Sequence, residues 1–433
     1  MSVLLAILIG GVALLLAMRG LDRVVRKYVF LLFVGHVLGA VANVWLYDDY
    51  YGYGDIDRYT LYGKLLSQLL STDFERFFPQ VMRVVFHMEN TLPFEELANG
   101  GATGTLCGIT GLCMFVVGQD KLAVCVLFST FSLVGQLGLY KVVREVTPTS
   151  EHMSGLITTL FVPSVVFWSS GIQKEAAAIG FLGILCWGAF SLTQRRLISG
   201  ALQVTLSVIG LGTIKPYILF PFVISVGAWL FTVRGGKKRW TTRSIAYSVM
   251  AALTGAIGIF LLGKVFPQFS IEGVGETAAH LQGAGEGVRT ANDSSFSIGD
   301  ANETSLSGQA QFIPFGLFNS LFRPLLFEVR GPVILVAALE MTVVTVLCFI
   351  IVSRMRKQSV RDEIRTSPLL VFCLVFVVAF GGGVGLATTN MGTLSRYRMP
   401  MMPFYATALL LSYRRSRAVA TVEEFEPSSI ATL

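Results

Sequence analysis

PLLVFCLVFVVAFGGGVGLA, residues 368–387, runs for 20 positions without a charged side chain. At about 1.5 Å of rise per residue, a helix of this length matches the ~30 Å hydrocarbon thickness of a bilayer. The stretch therefore reads as a transmembrane helix. Comparable apolar windows fall at about 3–18, 28–46, 122–140, 153–168, 176–193, 198–213, 218–233, 245–265, 332–352 and 400–413, about eleven in all. Across the 433 residues, 53% are hydrophobic and only 14% charged, far from the roughly 25% charged content of soluble domains. These values exclude a secreted disulfide scaffold, a disordered chain and a nucleic-acid-binding module. The expected fold is all-α, a single polytopic transmembrane bundle over 1–433.

The net charge of +7 is topological. Six basic clusters, Arg19/Arg23/Arg26/Lys27, Lys141/Arg144, Arg195/Arg196, Arg234/Lys237/Lys238/Arg239/Arg243, Arg354/Arg356/Lys357/Arg361/Arg365 and Arg414/Arg415/Arg417, hold 21 of the 34 Lys and Arg. Placing all six on the cytoplasmic side gives an outer N-terminus and a cytoplasmic C-terminus. This alternation closes only if 47–121 makes no net crossing. That segment is expected as a first outer loop, with the Gly-rich run 101–118 re-entrant, interfacial or paired with a second weak span. A second outer loop is expected over 266–331, rich in Gly, Ser and Ala. Small residues such as Gly180, Gly183, Gly255 and Gly258 suit close helix packing. The six cysteines lie in apolar stretches without C-x-x-C pairing, and the four histidines are scattered, so no metal site is readable.

Ionisable groups at the edge of a bundle are costly and mark candidate sites. LYDDYYGYGDIDRYTLYGKLL, residues 46–66, collects Asp48, Asp49, Asp55 and Asp57 among tyrosines that include Tyr59. It reads either as a solvated loop with an interfacial aromatic belt or as a carboxylate site with rings for stacking on a sugar. In the second reading Asp55 or Asp57 is a general base for an acceptor hydroxyl, or the pair holds a divalent cation. PSVVFWSSGIQKEA, residues 163–176, breaks a helix at Pro163 and Gly171, and its serine turn beside Lys174 and Glu175 offers backbone N–H groups to a phosphate. Lys215, Arg323, Arg396 and Arg398 fall in predicted outer segments, where basic residues should be depleted. Together these cations suit the phosphate or pyrophosphate leaving group of a lipid-linked sugar.

The acidic GDIDRYTLYG at 54–63, PSVVFWSSGIQKEA, FRPLLFE at 322–328 and SRYRMPMMP at 395–403 resemble the GT-C superfamily of polytopic glycosyltransferases, which use polyprenyl-phosphate-linked donors. The resemblance implies a polyprenyl-linked phosphosugar as donor, a glycan or lipid acceptor, membrane lipids as surroundings and no nucleic-acid partner. It also implies Asp55 or Asp57 as catalytic base, with Lys174, Arg323, Arg396 or Arg398 holding the lipid phosphate. The chain departs from that pattern in having an extra span before the acidic loop and only about 20 residues after the last span. O-antigen-type polymerases are similar in size and span count, and rely more on basic residues. A flippase or transporter for lipid-linked oligosaccharides, and a non-enzymatic docking subunit, are the remaining readings.

Overall fold

The computed structural model describes residues 1–97, 101–235, 279, 296, 305–354 and 367–425. The expected window at 245–265, the segment 266–278 and most of 280–304 lie outside the described residues, as do Gly255 and Gly258. What is described is almost wholly helical. Among the described residues, seven helices are long and apolar enough to cross a membrane: Arg23–Tyr50, Lys121–Val146, Lys174–Thr193, Leu197–Ile214, Pro216–Val233, Pro332–Arg354 and Pro368–Ala387. The protein is therefore an all-helical membrane protein. Of the other apolar windows, 3–18 falls on the shorter helix Ser2–Ala17, 400–413 lies mostly on the helix Met402–Phe425, and 153–168 is two helices separated at 161–162.

The chain divides into two units, the first formed by 1–148 with 159–219, the second by 149–158 with 220–433. The first comprises α1 (Ser2–Ala17), α2 (Arg23–Trp45, continued by a π turn Leu46–Tyr50), α3 (Asp55–Thr72), α4 (Phe74–Val85), α5 (Gly101–Val117) and α6 (Lys121–Val146). After α7 (His152–Leu160), which straddles the division, come α8 (Pro163–Trp168), α9 (Lys174–Thr193) and α10 (Leu197–Ile214). Helix α6 is the axis of this unit, buried along most of its length and packed by α1, α2 and α9.

Glycine decides how closely α6 and α9 approach. A Cβ built on Gly183 would stand 1.9 Å from the Gly135 carbonyl oxygen, and one on Gly135 would stand 2.2 Å from that of Gly180. The two backbones touch, as the sequence predicts for Gly180 and Gly183, and dispersion between them replaces side-chain interdigitation. The segment 47–121, expected as a loop, is built mainly of helices. The buried stripe Ile56, Tyr59, Gly63, Leu66 and Leu70 of α3 packs on α5. Here a Cβ on Gly63 would meet Thr110 at 2.5 Å, and one on Gly111 would meet Leu66 at 2.8 Å. Helix α4 covers the other side of α5, placing Val84 and Val85 over Gly104 and Gly108.

The second unit contains α11 (Leu219–Gly235), α12 (Leu306–Ala310), α13 (Ile313–Phe322), α14 (Pro332–Arg354), α15 (Pro368–Ala387), α16 (Met391–Tyr397) and α17 (Met402–Phe425). So the described part of the expected second outer loop is also largely helical. Helix α15 packs on α13 and α17. Gly385 lies against the Gly316 backbone, and Phe372, Phe376 and Phe380 stack in a row with the Phe404 ring tilted against Phe376.

Gly183→Val forces a side chain into backbone that has nowhere to move, at a cost of at least about 1–3 kcal/mol. Thermal unfolding in detergent is expected to show a clear loss for this variant. Gly35→Ala, in a helix and with nothing within 4 Å of its added methyl, should match or slightly exceed wild type.

Candidate functional site

In the first unit the acidic segment is organised by Lys121. Asp57 is the third residue of α3, and its Oδ2 accepts a hydrogen bond from the Gly54 N–H at 2.9 Å, closing the helix N-terminus. Its Oδ1 lies 2.5 Å from Lys121 Nζ, and the same ammonium donates to Asp48. Asp57 thus has two structural duties, and Lys121 already sits where a cation shared by these carboxylates would sit. No group of three or more His, Cys, Asp or Glu with metal-binding geometry exists among the described residues, so the divalent cation expected at Asp55/Asp57 finds no support there. Asp55, the first residue of α3, is exposed.

Tyr59, expected to stack on a sugar, is only 3% exposed and belongs to the core of the unit. The open rings are those of Tyr50, Tyr51 and Tyr53, at 49%, 50% and 68% exposure, with Tyr50 and Tyr51 in edge contact at 5.1 Å. Beside them Arg58 pairs with Glu96 at 2.7 Å in an exposed bridge. Glu96 accepts from the Tyr62 hydroxyl, and that bond, with the carboxylate charge, raises the phenol above its ordinary value.

The segment 163–176 also differs from expectation. Pro163 opens α8 at the first helical turn, where its missing N–H costs nothing. The serine turn is buried, and the Ser169 and Ser170 N–H groups donate to the Val165 and Phe167 carbonyls, so these amides are not available to a phosphate. Lys174 begins α9 and donates to Thr103 Oγ1 at 3.0 Å. Its neighbour Glu175 is buried and pairs with Lys215, equally buried, at 2.8 Å. Lys215 is thus held by a carboxylate inside the unit. Breaking such a pair strands a charge, whereas replacing both members is tolerated.

The second unit brings Arg323 and Arg398 together. Arg323, at the C-terminal end of α13, donates from Nε and Nη2 to Glu328 Oε1 and from Nη1 to Asn319 Oδ1 at 3.1 Å, with its guanidinium 4.2 Å over the Phe296 ring. Glu328 Oε2 accepts the Leu325 N–H at 2.8 Å. Burial alone would raise the Glu328 carboxyl, but the Arg323 guanidinium and the Leu325 N–H outweigh it and hold the group below its ordinary value. Arg398 follows α16 and is completely buried. Its Nη1 donates to the Arg323 carbonyl oxygen, while Nε and Nη2 have no partner, and nor does the buried Nδ2 of Asn319. Burial draws the Arg398 guanidinium down to about 10, against the charge of Glu340, so it stays cationic at neutral pH. Arg396, two residues earlier, lies over the Tyr397 ring at 5.3 Å.

Lys121, Asn319 and Glu340 are the groups that the sequence reading missed. A single carboxylate within the apolar run 332–352 was the available signal for Glu340. Comparison of the chain with protein-family models, curated proteins and solved structures gives no match.

Two stability predictions follow from these pairs. Glu175→Gln and Lys215→Met should each cost about 3–5 kcal/mol, while the double replacement Glu175→Leu/Lys215→Met should recover most of the loss in thermal unfolding. For Glu328, a folded-state pKa below the unfolded value means that the stabilisation is present above the unfolded carboxylate pKa of about 4.3 and is lost as pH falls through the folded value. Wild type should exceed Glu328→Gln by about 1–3 kcal/mol at pH 7, and the gap should close in unfolding scans taken progressively below pH 4.

Proposed function

We propose that the protein is a membrane glycosyltransferase that takes sugar from a polyprenyl-phosphate-linked donor during surface polysaccharide or glycoconjugate assembly. The reading includes the bacterial inner membrane, about eleven spans, an outer N-terminus and a cytoplasmic C-terminus. The observation that carries it is the Arg398 guanidinium, fully buried and cationic, with Nε and Nη2 unpartnered. Those two nitrogens form one edge of the guanidinium plane, and their N–H groups point in parallel at the spacing of two oxygens of one phosphate or carboxylate. A buried, unpaired donor edge is costly, and a phosphate oxygen pair relieves that cost. Arg323 and Asn319 support the same end of the unit, and Arg396 lies close in sequence.

In the transfer step the acceptor hydroxyl oxygen bonds to the anomeric carbon while the bond from that carbon to the phosphate oxygen breaks. The hydroxyl proton passes to a carboxylate, and the released charge stays on the lipid phosphate, where cationic donors stabilise it. Of the two carboxylates expected as base, Asp57 is held by the Gly54 N–H and Lys121. That engagement of Asp57 also favours a second reading, a polymerase that joins lipid-linked repeat units and depends on basic residues. A flippase would bind the same headgroup without bond formation.

Arg398→Lys keeps the charge but loses the two-pronged edge, and is expected to weaken donor binding about 10- to 100-fold, corresponding to the loss of ~1.5–3 kcal/mol. Surface polysaccharide and polyprenyl-linked intermediates, compared in cells carrying wild type, Arg398→Lys, Asp55→Asn, Asp57→Asn and Lys121→Met, test the assignment. Loss of product in Arg398→Lys and Asp55→Asn, with inserted and stable protein, supports transfer. Equal mild defects in Asp57→Asn and Lys121→Met mark Asp57 as structural. Accumulated lipid-diphosphate repeat units with loss of long polymer point to the polymerase, and unchanged glycans and lipids in every variant overturn both enzymatic readings.

A further inference from the structure

A second group of buried polar atoms lies within the first unit, apart from the acidic segment. His36 and Asn43 stand seven residues apart on α2, hence on one helical face, and both are fully buried. They meet the broken stretch between α8 and α9. Asn43 Nδ2 donates to the Phe167 carbonyl at 2.7 Å, and its Oδ1 accepts from Gln173 Nε2 at 2.9 Å. Gly39, between the two, lies so close to Ser170 that a Cβ there would come within 2.7 Å of the hydroxyl oxygen. The His36 ring places Nδ1 3.0 Å from Ser129 Oγ and 3.1 Å from Ser170 Oγ.

The carbonyl acceptors present favour one tautomer of the ring. Ser170 Oγ donates to the Val166 carbonyl at 2.6 Å, and Ser129 Oγ has the His36 carbonyl at 3.3 Å. When both hydroxyl protons are directed to carbonyl oxygens, the tautomer that fits has the ring proton on Nδ1, donating to the serine oxygens; Ser129 Oγ also has Ser170 Oγ at 3.4 Å. Nε2 then holds a lone pair, buried and without a partner; Ser169 Oγ and Gln173 Oε1 are likewise buried and without partners. The other tautomer would strand an N–H donor at Nε2, and orphaned buried N–H groups are rarer in folded proteins than under-satisfied acceptors.

We propose that His36 Nε2 is the acceptor of a buried site for one O–H donor, either an internal water or the hydroxyl of a small amphiphile. An ionisable ring within a membrane span costs energy unless its polar atoms are occupied, and a single O–H donor removes that cost without introducing charge. Because the site is built from α2, α6 and the α8–α9 break, its occupant bears on how that break is held. The inference does not depend on glycosyl transfer.

The test is nitrogen NMR of the full chain in lipid nanodiscs, 15N-labelled at histidine, with His36 left as the sole histidine by His87→Gln, His152→Gln and His280→Gln. Should that variant not fold, the wild type minus a His36→Gln spectrum gives the same resonances. A protonated Nδ1, with Nε2 unprotonated and displaced in the direction of an accepted hydrogen bond, supports the site. Magnetisation transfer from water protons then identifies water as the donor. A hydrogen-bonded Nε2 that shows no water transfer and loses its displacement on delipidation assigns the donor to a lipid hydroxyl. An Nε2 that carries the proton, or a lone pair with no accepted bond, overturns the proposal.

Discussion

A charge or amide inside an apolar helical bundle has no water to turn to, so every such group must find its partner within the protein or bring one in. This constraint accounts for most of the polar architecture. Glu175 and Lys215 satisfy each other. Asn43 spans the α8–α9 break, with its amide nitrogen on one side and its amide oxygen on the other. Arg323 is held by Glu328 and Asn319. Beside these satisfied groups, the open edge of Arg398 and the lone pair of His36 are buried without a partner, as are other buried polar atoms such as Asn319 Nδ2 and Gln173 Oε1. The first is a cationic donor edge and the second a neutral acceptor, which is why they point to ligands of different chemistry.

Glycine supplies the complementary constraint. Where α6 meets α9, α3 meets α5 and α13 meets α15, small residues let backbones approach to distances no side chain would permit. Dispersion across these seams holds helices together in a medium that gives apolar side chains little reason to leave it. The polar pairs are then held in place by rigid neighbours, so Lys215 cannot swing away from Glu175 and the Ser129 hydroxyl stays within reach of His36.

Much of the fold was legible in the sequence because apolar length is a strong signal. The runs at 122–140, 176–193, 198–213, 332–352 and 368–387 lie within helices, Pro163 begins one, and Gly180 and Gly183 form a packing seam. Helix α3 was harder to see, since Arg58 and Lys64 on its exposed side lower its average hydropathy. The site was less legible still. Asp57 looked like a free carboxylate because its partner Lys121 is 64 residues away, and Glu340 was hidden inside a run whose average is strongly apolar. Residue type and local pattern announce that a charge exists, whereas its partner depends on tertiary contacts that spacing does not encode.

The Lys121 clasp also sets an order of events during synthesis. Asp48 leaves the ribosome 73 residues before the lysine that neutralises it, an interval of roughly 4–15 s at ~5–20 residues per second. Until then Asp48 and Asp57 lack the ammonium that pairs them in the fold, and an unpaired carboxylate resists burial in lipid. When Lys121 emerges, the same residue that opens α6 joins Asp48 to Asp57, and the chain between them becomes a closed loop. Helices α3 to α5 lie within the loop that this clasp closes, so one ammonium group ties the start of α6 to the start of α3 and to the end of α2.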